Sequence, residues 1–123
     1  MFSFDGFHME EGTPIYQQIL LFLKRSAVSG EIQDGDELPS RRALSALLGV
    51  NPNTVQKAYR QLEEEGLIRS HTGAKSCMVL DAEQTTRIRA ELLENDAKSV
   101  VQAMKQMGLS KPEALRLIET FWD

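Results

Sequence analysis

Residues Leu38–Leu80 read LPSRRALSALLGVNPNTVQKAYRQLEEEGLIRSHTGAKSCMVL, and the fold turns on them. The centre of the stretch is Asn51-Pro52-Asn53-Thr54. Asn51 is suited to an N-cap, because its side-chain oxygen accepts from the free N–H groups of a first helical turn. Pro52 then falls at the first helical position, where its missing N–H costs nothing and its fixed φ fits the helix. Val55, Ala58, Tyr59 and Leu62 follow at i, i+3, i+4 and i+7, the spacing of one apolar helix face. Thr54, Gln56, Lys57 and Arg60 point elsewhere, so the helix has a buried side and a polar, basic side.

A shorter helix precedes it. Ser40 is its N-cap after Pro39, and Leu44, Leu47 and Leu48 form the expected buried side. Gly49 ends it, leaving the turn Gly49-Val50-Asn51. Two short helices around a brief glycine-containing turn, the second polar, make a helix-turn-helix pattern. Glu63-Glu64-Glu65-Gly66 closes the second helix, and a strand starts at Leu67-Ile68. Ser70–Ser76 is a polar turn, and Cys77–Leu80 is a second short strand. A hairpin with a basic loop after a helix-turn-helix is a wing, which can lie along the DNA backbone or enter the minor groove.

Outward from this stretch, the first twelve residues carry three phenylalanines without a period and are expected to pack back as an arm. His8 has no potential ligand partner near it in sequence and is expected to be an ordinary packed or exposed histidine. Thr13-Pro14 opens a helix to about Ser29, with Ile15, Ile19, Phe22 and Leu23 as its stripe and Gly30 as its stop. A polar loop runs from Glu31 to Glu37. Beyond Leu80, Asp81 and Gln84 form a capping box for a long helix to about Met107. Leu93, Ala97, Val100, Met104 and Met107 recur in it at steps of four and three, heptad spacing over about two repeats. A second capping box at Ser110–Glu113 starts a last helix with Ala114, Leu115, Ile118, Phe121 and Trp122 on its apolar side. Two such helices cannot bury those sides alone. They either fold back on the winged helix or pack against a second copy, and the second is expected because helix-turn-helix proteins work as two-fold dimers on paired half-sites.

Charge supports a nucleic-acid partner despite a net −4 over 123 residues. Met1–Glu37 has seven acids and two bases, and Asp81–Asp123 has eight acids and six bases. Leu38–Leu80 reverses this with six bases (Arg41, Arg42, Lys57, Arg60, Arg69, Lys75) and three acids, and Leu38–Leu62 has four bases and no acid. Exposed charges farther away than roughly 8 Å are largely screened, so the local patch decides. The lone Cys77 permits no internal disulfide, and no Cys/His spacing suggests a metal. No signal peptide and no apolar run of spanning length is present, which implies a soluble, cytoplasmic protein without a membrane partner. Paired catalytic carboxylates, a Ser/His/Asp set and a glycine-rich phosphate loop are all missing, so an enzyme and a bound cofactor are not expected.

These residues resemble the GntR family of bacterial transcription regulators. Pro39-Ser40-Arg41-Arg42-Ala43-Leu44 matches the family's P-S-x-R-x-L. Val50–Val55, with Ala58-Tyr59-Arg60 and Leu62-Glu63-x-x-Gly66-Leu67-Ile68, matches its recognition helix and first wing strand. Pro14-Ile15-Tyr16-x-Gln18-Ile19 matches the start of its first helix. The form N-P-N-T-V-x-K-A-Y, with a tail of about forty residues, is similar to the YtrA-type subgroup, in which the short helical tail dimerises. The wing departs from the family's G-x-G-T-F-V: here it reads Gly73-Ala74-Lys75-Ser76-Cys77-Met78, so a lysine replaces the second glycine.

The expected fold is therefore mainly α (α+β): a winged helix-turn-helix over 1–80 with its arm, then a two-helix dimerisation tail over 81–123. The resemblance implies that Arg42 faces the groove, pairing with guanine or a phosphate. Ser40 and Arg41 lie where helix N–H groups favour phosphate. Asn53, Thr54, Gln56 and Lys57 face the groove; Asn53 or Gln56 can read adenine, and Lys57 and Arg60 hold the backbone. Asn51 and the wing residues His71, Thr72, Gly73 and Lys75 complete the expected contact set. Leu93, Ala97, Val100, Met104, Met107, Leu115, Ile118, Phe121 and Trp122 are the expected dimer contacts. The implied function is a sequence-specific DNA-binding regulator, a repressor on an inverted-repeat operator, with room for a small-molecule effector between tail and winged helix. The competing reading is a winged-helix protein-interaction module whose basic patch is incidental.

Overall fold

The computed structural model describes residues 2–70 and 75–123. The elements in chain order are α1 (Ile15–Ser29), β1 (Glu37–Leu38), α2 (Arg41–Leu48), α3 (Pro52–Glu64), β2 (Ile68–Ser70), β3 (Ser76–Met78), α4 (Ala82–Gln106) and α5 (Lys111–Trp122). Three helices and a small antiparallel sheet of order β1-β3-β2 form a winged helix, and two further helices follow it. The chain divides into two compact units, Met1–Arg89 and Ala90–Asp123, with the boundary inside α4. The first two turns of α4 belong to the first unit for a physical reason. Ile88 is buried there, and the Gln84 amide donates to the Gly66 carbonyl at 3.0 Å.

The local signals for helix ends hold where a side chain reaches a backbone N–H two or three residues on. Ser40 accepts from the Ala43 N–H at 3.0 Å, and Asn51 accepts from the Asn53 N–H at 2.8 Å. The Asp81–Gln84 box is reciprocal, with 2.7 Å and 3.3 Å bonds, and Ser110 accepts from Glu113 at 3.4 Å. Thr13 does not cap α1. The cap position is Pro14, which has no side-chain acceptor, and the Thr13 carbonyl instead takes a 2.8 Å bond from the Gln18 amide. After α3, Gly66 adopts φ +77°, a conformation that glycine enters without a Cβ clash. The Leu67 N–H then closes back on the Leu62 carbonyl at 2.9 Å, turning the chain straight into β2.

One core serves the winged helix. Ile19, Leu20, Leu23 and Ala27 of α1 meet Leu44 of α2, the Val55-Ala58-Tyr59-Leu62 face of α3, and Leu38, Leu67, Ile68 and Met78. The arm packs as expected. Phe2, Phe4 and Phe7 surround Phe22 with ring centroids 5.3–5.7 Å from it.

The structure corrects three further details. Leu47 is exposed, because α2 buries the line through Leu44, Ser45 and Leu48, and Ser45 is accommodated there by donating to the Val50 carbonyl at 2.6 Å. The stripe of α1 is shifted: Ile15 and Phe22 are half-buried and Leu20 joins the core. A third strand, β1, lies at the end of the supposed loop, pairing Glu37 with Cys77 and Leu38 with Ser76. Cys77 is half-buried. In the tail, α5 buries none of its side chains within the single chain. Leu93, Ala97, Val100, Met107, Leu115 and Ile118 are exposed, Met104 is half-buried, and Phe121 and Trp122 are 78% and 80% exposed. Val100, Val101, Met104, Leu109, Leu115 and Ile118 line an apolar cleft of about 380 Å³ within this unit.

Tyr59 joins the two helices of the motif. Its ring is fully buried, and its hydroxyl donates to the Pro39 carbonyl at 2.7 Å, just before α2 begins. Burial raises its phenol pKa well above the ordinary value, and the Arg41 guanidinium only partly offsets this. The unfolded chain ionises near pH 10 while the folded chain does not, so this contribution to stability is intact below about pH 10 and lost as pH rises above it. Tyr59→Phe leaves a buried carbonyl without its donor and is expected to cost about 1–2 kcal/mol in urea unfolding at neutral pH. The gap between wild type and Tyr59→Phe should narrow above about pH 10; a gap constant with pH would show that the buried phenol is not what the alkaline limb reports.

Candidate nucleic-acid interface

Burial of one side of α3 decides what the other side presents. Asn53, Lys57, Arg60 and Glu64 are exposed on it, while Thr54 and Gln56 are half-buried at its margins. At the facing end of α2, Arg41, Gln56, Arg60, Glu63 and Glu64 line an open concavity of about 410 Å³. The cations of α3, Lys57 and Arg60, lie in its middle, and the carboxylates Glu63 and Glu64 lie at its C-terminal end.

The expected contact residues are not equivalent in the structure. Arg42 lies exposed in the first turn of α2, and Arg60 is exposed on α3; neither forms an ion pair among the described residues. Arg41 is folded inward. Its guanidinium lies 5.4 Å from the Tyr59 ring centroid, and Nη2 is 3.9 Å from Glu63 Oε2. Its Nε is buried without a hydrogen-bond partner among the described residues. Lys57 places its ammonium 4.0 Å from the centroid of Tyr16 on α1, a cation–π contact. Ser40 and Asn51 spend side-chain acceptors on their own helix ends. Lys75, at the base of the wing, is exposed and 3.3 Å from Glu37 Oε1; an ion pair this open is worth at most about 1 kcal/mol and leaves the ammonium available. His71, Thr72 and Gly73 lie outside the described residues.

Two participants escaped the sequence reading. Tyr16 and Glu63 each organise a cation across a helix boundary, and neither pairing has a signal in spacing along one helix. Tyr16 is forty-one positions from Lys57, and Glu63 is twenty-two from Arg41. Glu65 likewise reaches α1, accepting from Lys24 Nζ at 2.8 Å. Among the described residues no group of His, Cys, Asp and Glu is placed to hold a metal ion. No helix among them is long and apolar enough to cross a membrane.

Residues 15–76 match the model of the bacterial regulatory proteins of the gntR family. The chain is similar to the HTH-type transcriptional regulator YhcF of Bacillus subtilis, with 33% identity over 112 residues that cover 91% of this chain and 93% of YhcF. It is 37% identical over 95 residues to the HTH-type transcriptional repressor YtrA of the same organism, covering 77% of this chain and 68% of YtrA. Among solved structures it resembles a GntR family transcriptional regulator from Listeria monocytogenes, with a TM-score of 0.79 and 27% identity over 91% of this chain and 98% of that one. The matched span runs from α1 to β3 and holds the whole basic face of α2 and α3, and on these grounds the chain belongs to the gntR family of bacterial regulatory proteins.

Proposed function

We propose that this gntR-family regulator acts as a homodimer that binds an inverted-repeat operator and represses transcription from it. The observation that carries the reading is the polar side of α3, which shows Asn53, Lys57 and Arg60 to solvent, together with an exposed Arg42 in the first turn of α2 that forms no ion pair among the described residues. A helix presented in this way fits the major groove, with its first residues toward base edges. In this reading Arg42 reads a guanine, Asn53 or Gln56 reads an adenine, and Lys57, Arg60 and Lys75 hold phosphates. Thr54 and Asn51 lie at the groove-facing end of the same helix, and Ser40 orders the first turn that carries Arg41 and Arg42. The likeness to a protein named a repressor supports the sign of regulation.

The tail supports the two-fold arrangement. Leu93, Ala97, Val100, Met104 and Met107 on α4, with Leu115, Ile118, Phe121 and Trp122 on α5, offer apolar surface that a second copy would cover. A large exposed apolar patch of this kind marks an association site. In this reading the chain divides functionally into a DNA-binding part over 1–80 and a dimerising tail over 81–123, and the two recognition helices meet half-sites about one helical turn apart.

Selection of bound sequences from a random duplex pool should return a pseudo-palindrome. Arg42→Ala is expected to keep the fold, retain salt-dependent attachment and lose about 1–3 kcal/mol of discrimination at one base position. Unchanged preference in Arg42→Ala would remove that residue from base readout. In sedimentation the wild-type chain should be a dimer and Ile118→Asp a monomer with helical content largely kept; a wild-type monomer at operator-binding concentrations would overturn the two-fold model.

A further inference from the structure

Glu63 is an acid on the side of α3 assigned to DNA, and its surroundings make it more than a stray repulsive charge. Its Oε2 accepts from the Ser70 hydroxyl at 3.2 Å, and the same oxygen is 3.9 Å from Arg41 Nη2. Ser70 in turn lies 3.3 Å from the Ser76 hydroxyl. Because the Ser70 proton is given to the carboxylate, Ser76 is the donor in that pair. One carboxylate thus ties together the start of α2, the body of α3 and both strands at the base of the wing. Meanwhile Arg41 is held on the Tyr59 ring with its Nε unsatisfied.

The hold on Arg41 is weak by geometry. The nitrogen–oxygen distance is long, and the Glu63 side chain is 50% exposed. Ion pairs of this kind contribute little net stability, since water competes for both charges. A phosphate offers the guanidinium short, charge-assisted bonds that Glu63 does not. The buried Nε, without a partner among the described residues, becomes a further donor once Arg41 leaves the Tyr59 ring.

We propose that Glu63 is a positioning residue for DNA binding: its carboxylate parks Arg41 in the free protein and is exchanged for a backbone phosphate when duplex DNA arrives. This rests on the DNA-binding reading above. The exchange lowers affinity for any phosphate backbone, because each binding event must first break the Arg41–Glu63 contact. Ser70 keeps the carboxylate in place, so the contact reforms when the DNA leaves.

The test compares two acid-to-amide changes of equal charge on the same helix. Glu63→Gln removes the charge that parks Arg41 but keeps an acceptor for Ser70. Glu64→Gln removes a neighbouring exposed charge that makes no ion pair among the described residues. Affinity for a random-sequence duplex is measured with the full chain at fixed ionic strength, in wild-type and Arg41→Met backgrounds. Thermal melting confirms that each variant folds. Glu63→Gln should bind more tightly than Glu64→Gln by roughly two- to fivefold, the range set by an exposed ion pair, and this excess should vanish with Arg41→Met. Equal gains would overturn the proposal by showing a general charge effect. Weaker binding by Glu63→Gln would show a purely structural role. An excess that survives Arg41→Met would show direct repulsion of the backbone, without Arg41. A wild-type chain that holds no duplex even at low salt would overturn the DNA-binding reading itself, an outcome distinct from these three.

Discussion

The hydrogen bond from the buried Tyr59 hydroxyl to the Pro39 carbonyl ties α3 to the residue before the Ser40 cap of α2. Everything on the proposed DNA side depends on it. A tyrosine on an apolar helix face needs an acceptor for its hydroxyl, since an unpaired buried donor is costly. Pro39 supplies one and in doing so fixes where α2 starts. Ser40 then caps α2, Arg41 lies across the tyrosine ring, and Arg42 is sent out to solvent. Adjacent positions on α2 thus differ: Arg41 is held against the Tyr59 ring and near Glu63, and Arg42 is open to solvent.

The overall charge of −4 says little about this face. Glu65 is neutralised across the core by Lys24 at 2.8 Å, and Glu63 is tied to Ser70 with Arg41 nearby. The excess acid of the molecule lies mainly in the first thirty-seven residues and in the tail. Screening keeps those charges from cancelling a field that acts over a few ångströms. In the proposed reading, duplex binding follows the local arrangement of cations on α2 and α3, and salt weakens it by returning counterions to the phosphates.

What could be read from the sequence was local. Ser40, Asn51, the Asp81–Gln84 box and Ser110 reveal themselves within three or four residues, and each forms the bond its position implies. The α3 face was legible because four side chains repeat at helical spacing. Strand β1 was not legible: two residues, one charged, in a polar segment carry no period, and only pairing with Cys77 and Ser76 makes them a strand. Leu47 misled because a leucine in a short helix reads as core, whereas four of the eight α2 residues, Leu47 among them, are exposed. In the proposed site, composition and family resemblance identified which cations to consider. They could not show that Lys57 rests on Tyr16 or Arg41 beside Glu63, because those partners come from other parts of the chain. In the tail, the heptad line passed over Val101, which is exposed beside Val100 and lines the same cleft.

The central claim is that the side of α3 opposite its buried face is the surface that meets DNA. Backbone and side-chain chemical-shift mapping of the isotope-labelled full chain, titrated with its selected duplex, addresses it most directly. The account predicts that the largest shifts fall on the first turn of α2 and on Asn53, Gln56, Lys57 and Arg60, with Val55, Ala58 and Leu62 little changed. Shifts confined to the arm or to α5, with the open side of α3 silent at saturation, would contradict it.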